Sequence, residues 1–337
     1  MKLSTKISGI LRHKQCDFLL KPNYFALTVT SLLLTLTPPA SPTSPASPTP
    51  YLPISPASPA SHTLAQSLPI LTPTTPRAVE YLNQGIALVQ QQRLPEAIAA
   101  FQEATRLDNR LAAAHYNLGL ALRQTGQLES AANAFYLATQ ADPEFALAFA
   151  NLGAALLETN NLLHAEGYLA QALIINPQLG VAHYNLGLVL MRQERLESAL
   201  GSFKNAVVYS PQAPEPSYYL GRIYHQQGDV TAAKQAFEQA IKISPRYPEA
   251  HYNLGTILFN EGNVDAALEA FRQASQANPN YANAYYGAGL VFLHQNRPGK
   301  AREVLEYAKQ LYLNQGNLLW AGNTEQLLQQ ARNDGGF

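Results

Sequence analysis

The chain has 337 residues, of which 47% are apolar and only 14% charged, with a formal net charge of zero and one cysteine. A zero net charge gives no general electrostatic attraction to nucleic acid, so a nucleic-acid partner is not expected. One cysteine excludes a disulfide framework or a cysteine-based zinc site within one chain. Apolar burial therefore has to stabilise the fold.

Residues 1–37 predict a targeting segment. Five basic residues precede an apolar run at 24–36, YFALTVTSLLLTL. Thirteen residues at about 1.5 Å each are too short for a hydrocarbon core of roughly 30 Å, and they fit a secretory h-region better. Cleaved export, an uncleaved membrane anchor through 24–36 and a cytoplasmic protein with an apolar tail stay open. An exported (periplasmic or extracytoplasmic) or membrane-anchored location is expected.

Residues 38–76 predict a linker without helix or strand. This stretch has no Asp, Glu, Lys or Arg, and proline is its most frequent residue, at twelve positions. Proline fixes φ and removes a hydrogen-bond donor, which favours extended polyproline II and a semi-rigid spacer. A ligand for proline-recognition domains is the alternative interpretation, although no aromatic or basic flanking pattern marks a docking motif.

Residues 78–315 consist of seven units of equal length: 78–111, 112–145, 146–179, 180–213, 214–247, 248–281 and 282–315. Each unit has glycine at position 8 and alanine at positions 20 and 27, and five units have phenylalanine at position 24. A fixed period in the thirties indicates a stacked repeat architecture. Apolar residues recur three and four positions apart, so each half unit is predicted to be a helix. The glycines Gly126, Gly228 and Gly262 fall between the halves, where a helix C-cap and a turn are expected.

Each repeated position has a physical reason. Glycine at position 8 and alanine at position 20 leave no bulk where the two helices of a unit cross, and phenylalanine at position 24 fills the space they leave. One helical hairpin buries too little apolar surface alone, whereas stacked neighbours share a continuous core. A large residue at Gly187 is therefore expected to overpack the crossing at a cost of about 1–3 kcal/mol.

The pattern resembles the tetratricopeptide repeat family. The stretches AHYNLGLALRQTGQLESAANAFYLATQADP (114–143) and AHYNLGTILFNEGNVDAALEAFRQASQANP (250–279) have that family's small and large positions in register, and the resemblance covers all seven units. It implies an all-α fold, a right-handed α-solenoid of seven helix-turn-helix repeats. Departures include Asn109, Ala288 and Leu313, and position 4, where the family prefers Trp.

The resemblance also implies that positions 2, 5, 6, 9, 12 and 13 line a concave, partner-binding groove. Position 5 is tyrosine in five units and position 6 is asparagine in five units. The asparagine amides suit the amide groups of an extended peptide, and tyrosine is favoured at binding hot spots. The alternative is that both sets pack or hydrogen-bond within the array. The residues are Tyr116, Tyr184, Tyr218, Tyr252 and Tyr286 at position 5, and Asn83, Asn117, Asn151, Asn185 and Asn253 at position 6.

Unit five departs from this pattern. Tyr219 replaces the asparagine, and Arg222 replaces a small or apolar residue at position 9. A charged exception in a uniform groove predicts a specificity site, since a charged contact rejects partners that lack its match. An intramolecular ion pair between Arg222 and a glutamate is the alternative.

Catalysis is not expected. The chain contains no G-x-S-x-G, P-loop, H-E-x-x-H or C-x-x-C motif. His115, His183 and His251 lie two units apart, too distant to share a metal ion or a proton, and are predicted to pack between hairpins. No cofactor or metal is expected.

Residues 316–337 predict a capping helix and tail. Leu318, Leu319, Leu327 and Leu328 are expected to cover the last repeat, because a solenoid needs a terminal helix with a polar outer side. The single tryptophan, Trp320, is expected to pack there.

The sequence thus predicts an exported or membrane-tethered, non-catalytic scaffold that binds an extended segment of a partner protein. An assembly scaffold that uses its outer faces is one alternative. Another is an accessory subunit of an envelope polysaccharide or secretion complex whose catalysis lies on another chain.

Overall fold

The computed structural model describes residues 75–334, which form fifteen α-helices and no strand. The predicted all-α fold of helical hairpins is confirmed for this part of the chain. The targeting segment and most of the linker predicted from the sequence lie outside the described residues. The helices are α1 Pro76–Gln90, α2 Leu94–Leu107, α3 Ala112–Gln124, α4 Leu128–Ala141, α5 Ala146–Glu158, α6 Leu162–Ile175, α7 Gly180–Arg192, α8 Leu196–Tyr209, α9 Pro214–Gln227, α10 Val230–Ile243, α11 Pro248–Asn260, α12 Val264–Ala277, α13 Ala282–His294, α14 Pro298–Asn314 and α15 Leu318–Asp334.

The described residues fall into two compact units, one up to 143 and one from 144 onwards. The first unit contains two hairpins, α1 with α2 and α3 with α4. The second contains five hairpins, from α5 with α6 to α13 with α14, followed by α15. Within residues 75–334, no helix is long and apolar enough to cross a membrane.

A left-handed residue at position 15 ends the first helix of every repeat. The three glycines predicted at this turn have positive φ, as expected: 78° at Gly126 and 83° at Gly228 and Gly262. The other four repeats reach the same conformation without glycine, and these residues were not predicted. They are Gln92, Asn160, Glu194 and Asn296, with φ between 55° and 62°.

The predicted packing at the helix crossing is confirmed. A Cβ built on Gly187 would lie 2.7 Å from the Phe203 ring, and one on Gly221 would lie 2.7 Å from the Phe237 ring. The ring at position 24 therefore occupies the volume that the glycine leaves. The alanines at positions 20 and 27 are fully buried in every repeat.

The histidines at position 4 are structural, as predicted. The Nε2 atoms of His115, His183 and His251 lie 3.0, 2.9 and 2.9 Å from the carbonyl oxygen six residues earlier, in the turn that joins two repeats. The bond links a first helix to the turn that precedes it, which explains the recurrence of histidine.

Helix α15 covers the last repeat, but only two of the four leucines predicted to pack there are buried. Leu327 and Leu328 are buried, and the Trp320 ring lies 5.3 Å from the Tyr286 ring, so these predictions are confirmed. The prediction for Leu318 and Leu319 is wrong, since they are 72% and 61% exposed. The helical period places them opposite the buried stripe, which consists of Ala321, Thr324, Leu327, Leu328 and Ala331.

Candidate functional site

The tyrosines at position 5 pack against the position-24 phenylalanine of their own repeat. The ring centroids are 5.8 Å apart for Tyr116 and Phe135, and 6.0 Å apart for Tyr184 and Phe203. Tyr218 and Tyr252 make the same contact at 5.9 and 5.7 Å in the repeats that follow. The ring bodies therefore belong to the core. The last member, Tyr286, packs against Tyr312 and Trp320 instead.

The asparagines at position 6 use one amide hydrogen inside their own helix. Asn117, Asn151 and Asn253 donate to the carbonyl oxygen four residues earlier at 2.8, 2.9 and 2.7 Å. An asparagine amide has two donors and one acceptor, so this bond does not exhaust it. Asn185 is also buried, whereas Asn83 is exposed. Peptide binding by this ladder stays a prediction.

The Tyr219 side chain contacts a different neighbour from the asparagines that occupy position 6 in other repeats. Its ring stacks on Phe203 of the preceding repeat, with centroids 5.3 Å apart and planes at 9°. A full aromatic ring therefore lies at a position where five other repeats have an asparagine, which needs far less room.

Four tyrosine rings form a continuous series at repeat five, which we call the tyrosine row: Tyr184, Tyr219, Tyr218 and Tyr247. Consecutive ring centroids are 5.9, 5.3 and 5.2 Å apart, and each pair meets edge to face. This geometry is favourable for aromatic pairs. The sequence interpretation missed Tyr247, although a tyrosine at position 34 in only two repeats, Tyr247 and Tyr281, could have indicated it.

Arg222 lies over this row. Its guanidinium carbon is 5.8 Å from the centroid of the Tyr218 ring and 5.4 Å from that of Tyr219. These distances are in the range of cation–π contacts. No carboxylate oxygen of residues 75–334 lies within 4.0 Å of this guanidinium, so the alternative of an ion pair is not observed there. The side chain is half-buried, which leaves part of it open to a ligand.

The other charged groups around the row are less available. Arg192 donates from Nη1 to the Leu157 carbonyl oxygen at 2.6 Å, which fixes its side chain at the end of α5. Glu215 forms no ion pair within the described residues, and its burial raises the pKa of its carboxyl group. Of the two arginines beside the row, Arg222 is the one whose guanidinium has no hydrogen bond or ion pair among the described residues.

The phenol groups of the row stay protonated near neutral pH. Burial raises the pKa of Tyr218, Tyr219 and Tyr247 above its ordinary value; nearby Arg222 opposes the shift for the first two. Protonated phenols can both donate and accept hydrogen bonds. The site therefore offers one cation and several neutral hydrogen-bond donors, a combination suited to peptide carbonyl groups.

Metal-binding groups do not contribute to this site. Across residues 75–334 there is no group of three or more His, Cys, Asp or Glu side chains that could hold a metal ion.

Four segments match profiles of the tetratricopeptide repeat family. Residues 85–124 and 221–262 match a profile described as TPR repeat, and residues 252–317 and 112–145 match two described as tetratricopeptide repeat. A search of curated proteins gave no match.

Several solved structures are similar to this chain. A tetratricopeptide repeat protein from Parabacteroides merdae is 18% identical and covers 77% of this chain and 100% of its own, with a TM-score of 0.55. Pseudomonas aeruginosa pilF is 17% identical and covers 62% of this chain and 95% of its own, with a TM-score of 0.56. YrrB, described as a TPR protein with an unusual peptide-binding site, is 26% identical over 57% of this chain and 99% of its own, with a TM-score of 0.46.

The profiles, the paired helices and the Parabacteroides merdae structure agree on an α-solenoid of the tetratricopeptide type. Repeats of this kind are typically non-catalytic scaffolds, and they indicate a protein-interaction scaffold with protein partners. The chain belongs to the tetratricopeptide repeat family.

Proposed function

We propose that this scaffold binds an extended segment of a partner protein across the first helices of repeats four to six, with Arg222 as the specificity residue. The observation that carries the proposal is the half-buried Arg222 guanidinium, which lies over two tyrosine rings and has no carboxylate within 4.0 Å among the described residues. A guanidinium has five N–H donors, and a bound segment can satisfy them with carbonyl or carboxylate oxygens.

The surroundings support an extended rather than a globular ligand. A strand-like segment exposes its amide and carbonyl groups, and the row supplies phenols beside the arginine. Asn253 donates to the Glu249 carbonyl oxygen at 2.7 Å, so its amide is held in a fixed position near Tyr218. Fixed groups lose less conformational entropy when a ligand binds.

A peptide library displayed against the full chain tests the proposal. Arg222→Ala is expected to weaken the selected peptides by about tenfold, equivalent to roughly 1.4 kcal/mol, and to leave the melting temperature nearly unchanged. Lys242→Ala is the matched control, because Lys242 is an exposed cation on the second helix of the same repeat. Equal affinity of wild type and Arg222→Ala would exclude repeat five from the binding site.

We further propose that residues 1–37 deliver the protein to the envelope or outside the cytoplasm, with residues 38–76 as the spacer before the repeats. The basic flank and the short apolar run at 24–36 support this proposal. Sequencing of the N-terminus of the mature protein tests it. A start beyond residue 36 supports cleaved export, an intact N-terminus in a membrane fraction supports an anchor, and an intact N-terminus in the soluble cytoplasmic fraction contradicts both.

A further inference from the structure

Positions 18, 22, 25 and 29 of each repeat form an exposed stripe on its second helix. The residues at these positions are exposed in all seven repeats. In six repeats the stripe contains at least one charged residue, as in repeat five, where Glu238 and Lys242 occupy positions 25 and 29. In repeat three the stripe lies on helix α6 and contains no polar side chain. Its residues are Leu163, Gly167, Ala170 and Ile174.

The stripe of α6 is open to a partner along its length. Leu163 is 77% exposed and Ile174 is 68% exposed. A Cβ built on Gly167 would meet no atom within 4 Å, so the space above the middle of the helix is also free. Covering this apolar surface removes it from water, which is favourable. Exposed apolar surface of this kind marks an interaction site.

The polar groups beside the stripe already have partners within the chain. Glu166 accepts a hydrogen bond from Arg195 Nη1 at 2.6 Å and another from Gln193 Nε2 at 3.0 Å. The His164 Nδ1 atom lies 2.8 Å from the Asn161 Oδ1 atom. Glu166 is the only Asp, Glu, Lys or Arg in α6. A partner that packs on the stripe therefore buries no unpaired charge of this helix, which would be costly.

The large and small residues of the stripe follow the same order in both directions along the helix. Successive members are four, three and four residues apart, with Leu163 and Ile174 at the ends. In an antiparallel pair of identical helices, Leu163 of one copy faces Ile174 of the other. Gly167 then faces Ala170, and these small residues allow the two backbones to approach closely. A two-fold symmetric contact requires a self-complementary surface of this kind.

We propose that α6 packs in antiparallel orientation against α6 of a second copy of this chain, through the stripe. The fourteen residues of α6 give a contact about 21 Å long and about 10 Å wide. This area of about 200 Å² is small beside the roughly 800 Å² per partner of a standard interface, so the dimer is expected to be weak and to dissociate at micromolar concentrations. The contact involves a second helix and is independent of the first-helix site at Arg222.

Sedimentation equilibrium of the full chain from about 1 μM to about 1 mM tests the proposal. Wild type is expected to show a monomer–dimer equilibrium, and Ala170→Glu or Ile174→Lys to weaken it at least tenfold. Repeat five has the introduced residues at the same positions, Glu238 and Lys242, so the repeat tolerates them. Gln235→Glu is the matched control, because it adds a negative charge to the exposed stripe of α10. It is expected to leave the equilibrium unchanged.

Disulfide formation tests the orientation, in full-length chains that carry Cys16→Ser so that no other thiol is present. A mixture of the Leu163→Cys and Ile174→Cys variants is expected to give disulfide-linked dimers. Neither variant alone is expected to do so, because eleven residues at 1.5 Å separate the identical positions by about 16 Å, whereas a disulfide requires Cα atoms within about 7 Å.

Three results overturn the proposal. The first is a wild-type chain that stays monomeric over the whole concentration range. The second is an association that Ala170→Glu and Ile174→Lys leave unchanged while thermal melting shows both variants to be folded. The third is a disulfide that forms in a single-variant sample or fails to form in the mixture.

Discussion

Repeats five and six have the same interior and different first-helix faces. In both, a glycine at position 8 lies against a position-24 phenylalanine, with a built Cβ 2.7 Å from the Phe237 ring and 2.8 Å from the Phe271 ring. On the face, repeat six has an asparagine and Thr256 where repeat five has Tyr219 and Arg222. The interior is constrained by close packing, so the face is where one repeat can acquire a distinct binding property.

The residues that replace the regular ones in repeat five have contacts of their own. Tyr219 gains a stacked contact with Phe203 and takes part in the tyrosine row, while Arg222 gains two aromatic neighbours. These contacts compensate for the loss of the regular residues without any change at the helix crossing. A hairpin repeat can therefore change its first-helix face while keeping its fold.

The largest expected effect on stability comes from substitutions in the interior that repeats five and six have in common. Phe237→Ala and Phe271→Ala each remove a ring that is 0% or 3% exposed. Each is expected to lower the free energy of unfolding by about 3–5 kcal/mol, since both leave a cavity of similar size. Urea denaturation measures the two losses. A difference between them of more than about 2 kcal/mol would show that the two interiors are not equivalent.

Two glycines in repeat four distinguish the effect of close packing at the helix crossing from the effect of helix propensity on stability. Gly187→Ala is expected to destabilise by about 1–3 kcal/mol, because the new Cβ would meet the Phe203 ring at 2.7 Å. Gly201→Ala, with no atom within 4 Å of the new Cβ, is expected to stabilise by about 0.5–1 kcal/mol through helix propensity. Thermal and urea unfolding provide the measurement. The same sign for both variants would contradict the role assigned to the crossing glycine.

The face of repeat five can be converted to that of repeat six. The double variant Tyr219→Asn with Arg222→Thr is expected to weaken library-selected peptides at least tenfold, or about 1.4 kcal/mol. Its stability is expected to fall by only about 1 kcal/mol, since the lost stacking on Phe203 is a single aromatic contact. Calorimetric titration and thermal melting measure the two quantities separately. Unchanged peptide affinity in a folded variant would mean that repeats five and six are functionally alike.

Substitutions in the turn between the two helices of a repeat are expected to have a smaller effect on stability. Glu194 has a φ of 61°, a conformation that is strained for a residue with a side chain and free of strain for glycine. Glu194→Gly is expected to stabilise by about 0.5–1 kcal/mol, and Gly262→Ala, at a φ of 83°, to destabilise by about 1 kcal/mol. Thermal melting measures both. A lower melting temperature for Glu194→Gly would show that its side chain has a stabilising contact that outweighs the backbone strain.

The smallest expected effect is the contribution of His115 to the pH dependence of stability. Burial lowers the pKa of this imidazole, while its bond to the Asn109 carbonyl and the nearby Asp108 carboxylate act in the opposite direction. Because the folded-state pKa is the lower one, the unfolded chain takes up the proton first as the pH falls. The contribution to stability is therefore complete above about pH 6.5 and decreases as the pH falls toward the folded-state pKa.

Melting temperatures between pH 7.5 and 5 measure this dependence. Wild type is expected to lose more stability over that range than His115→Phe, a residue that repeat three has at the same position as Phe149. Other titrating groups contribute equally to both proteins, so only the difference between the two curves matters. Parallel curves would show that His115 does not contribute.

The sequence predicted the packing positions well because packing is periodic. Gly187, Phe203 and the alanines occupy positions that return in each repeat, and their sizes alone indicate close approach. It predicted the face less well, because contacts there join residues of different repeats and different registers. The stacking of Tyr219 on Phe203 depends on how one hairpin meets the next, which no single repeat contains. Tyr247 contacts Tyr218 of its own repeat, but it does so from a position that is tyrosine in only two repeats. Leu318 and Leu319 were misjudged because an apolar pair at a helix start does not reveal which side the helix buries.

The sequence by itself determined the architecture, since a constant period with fixed small and large positions permits only stacked helical hairpins in this family's pattern. The tertiary structure decided the surroundings of the chemically distinct residues. It brought four tyrosines of two repeats into one row and left Arg222 over two of them without a carboxylate within 4.0 Å among the described residues. The physical reason is that periodic spacing fixes which residues lie inside a repeat, whereas the partners of a face residue are fixed only when neighbouring repeats pack together.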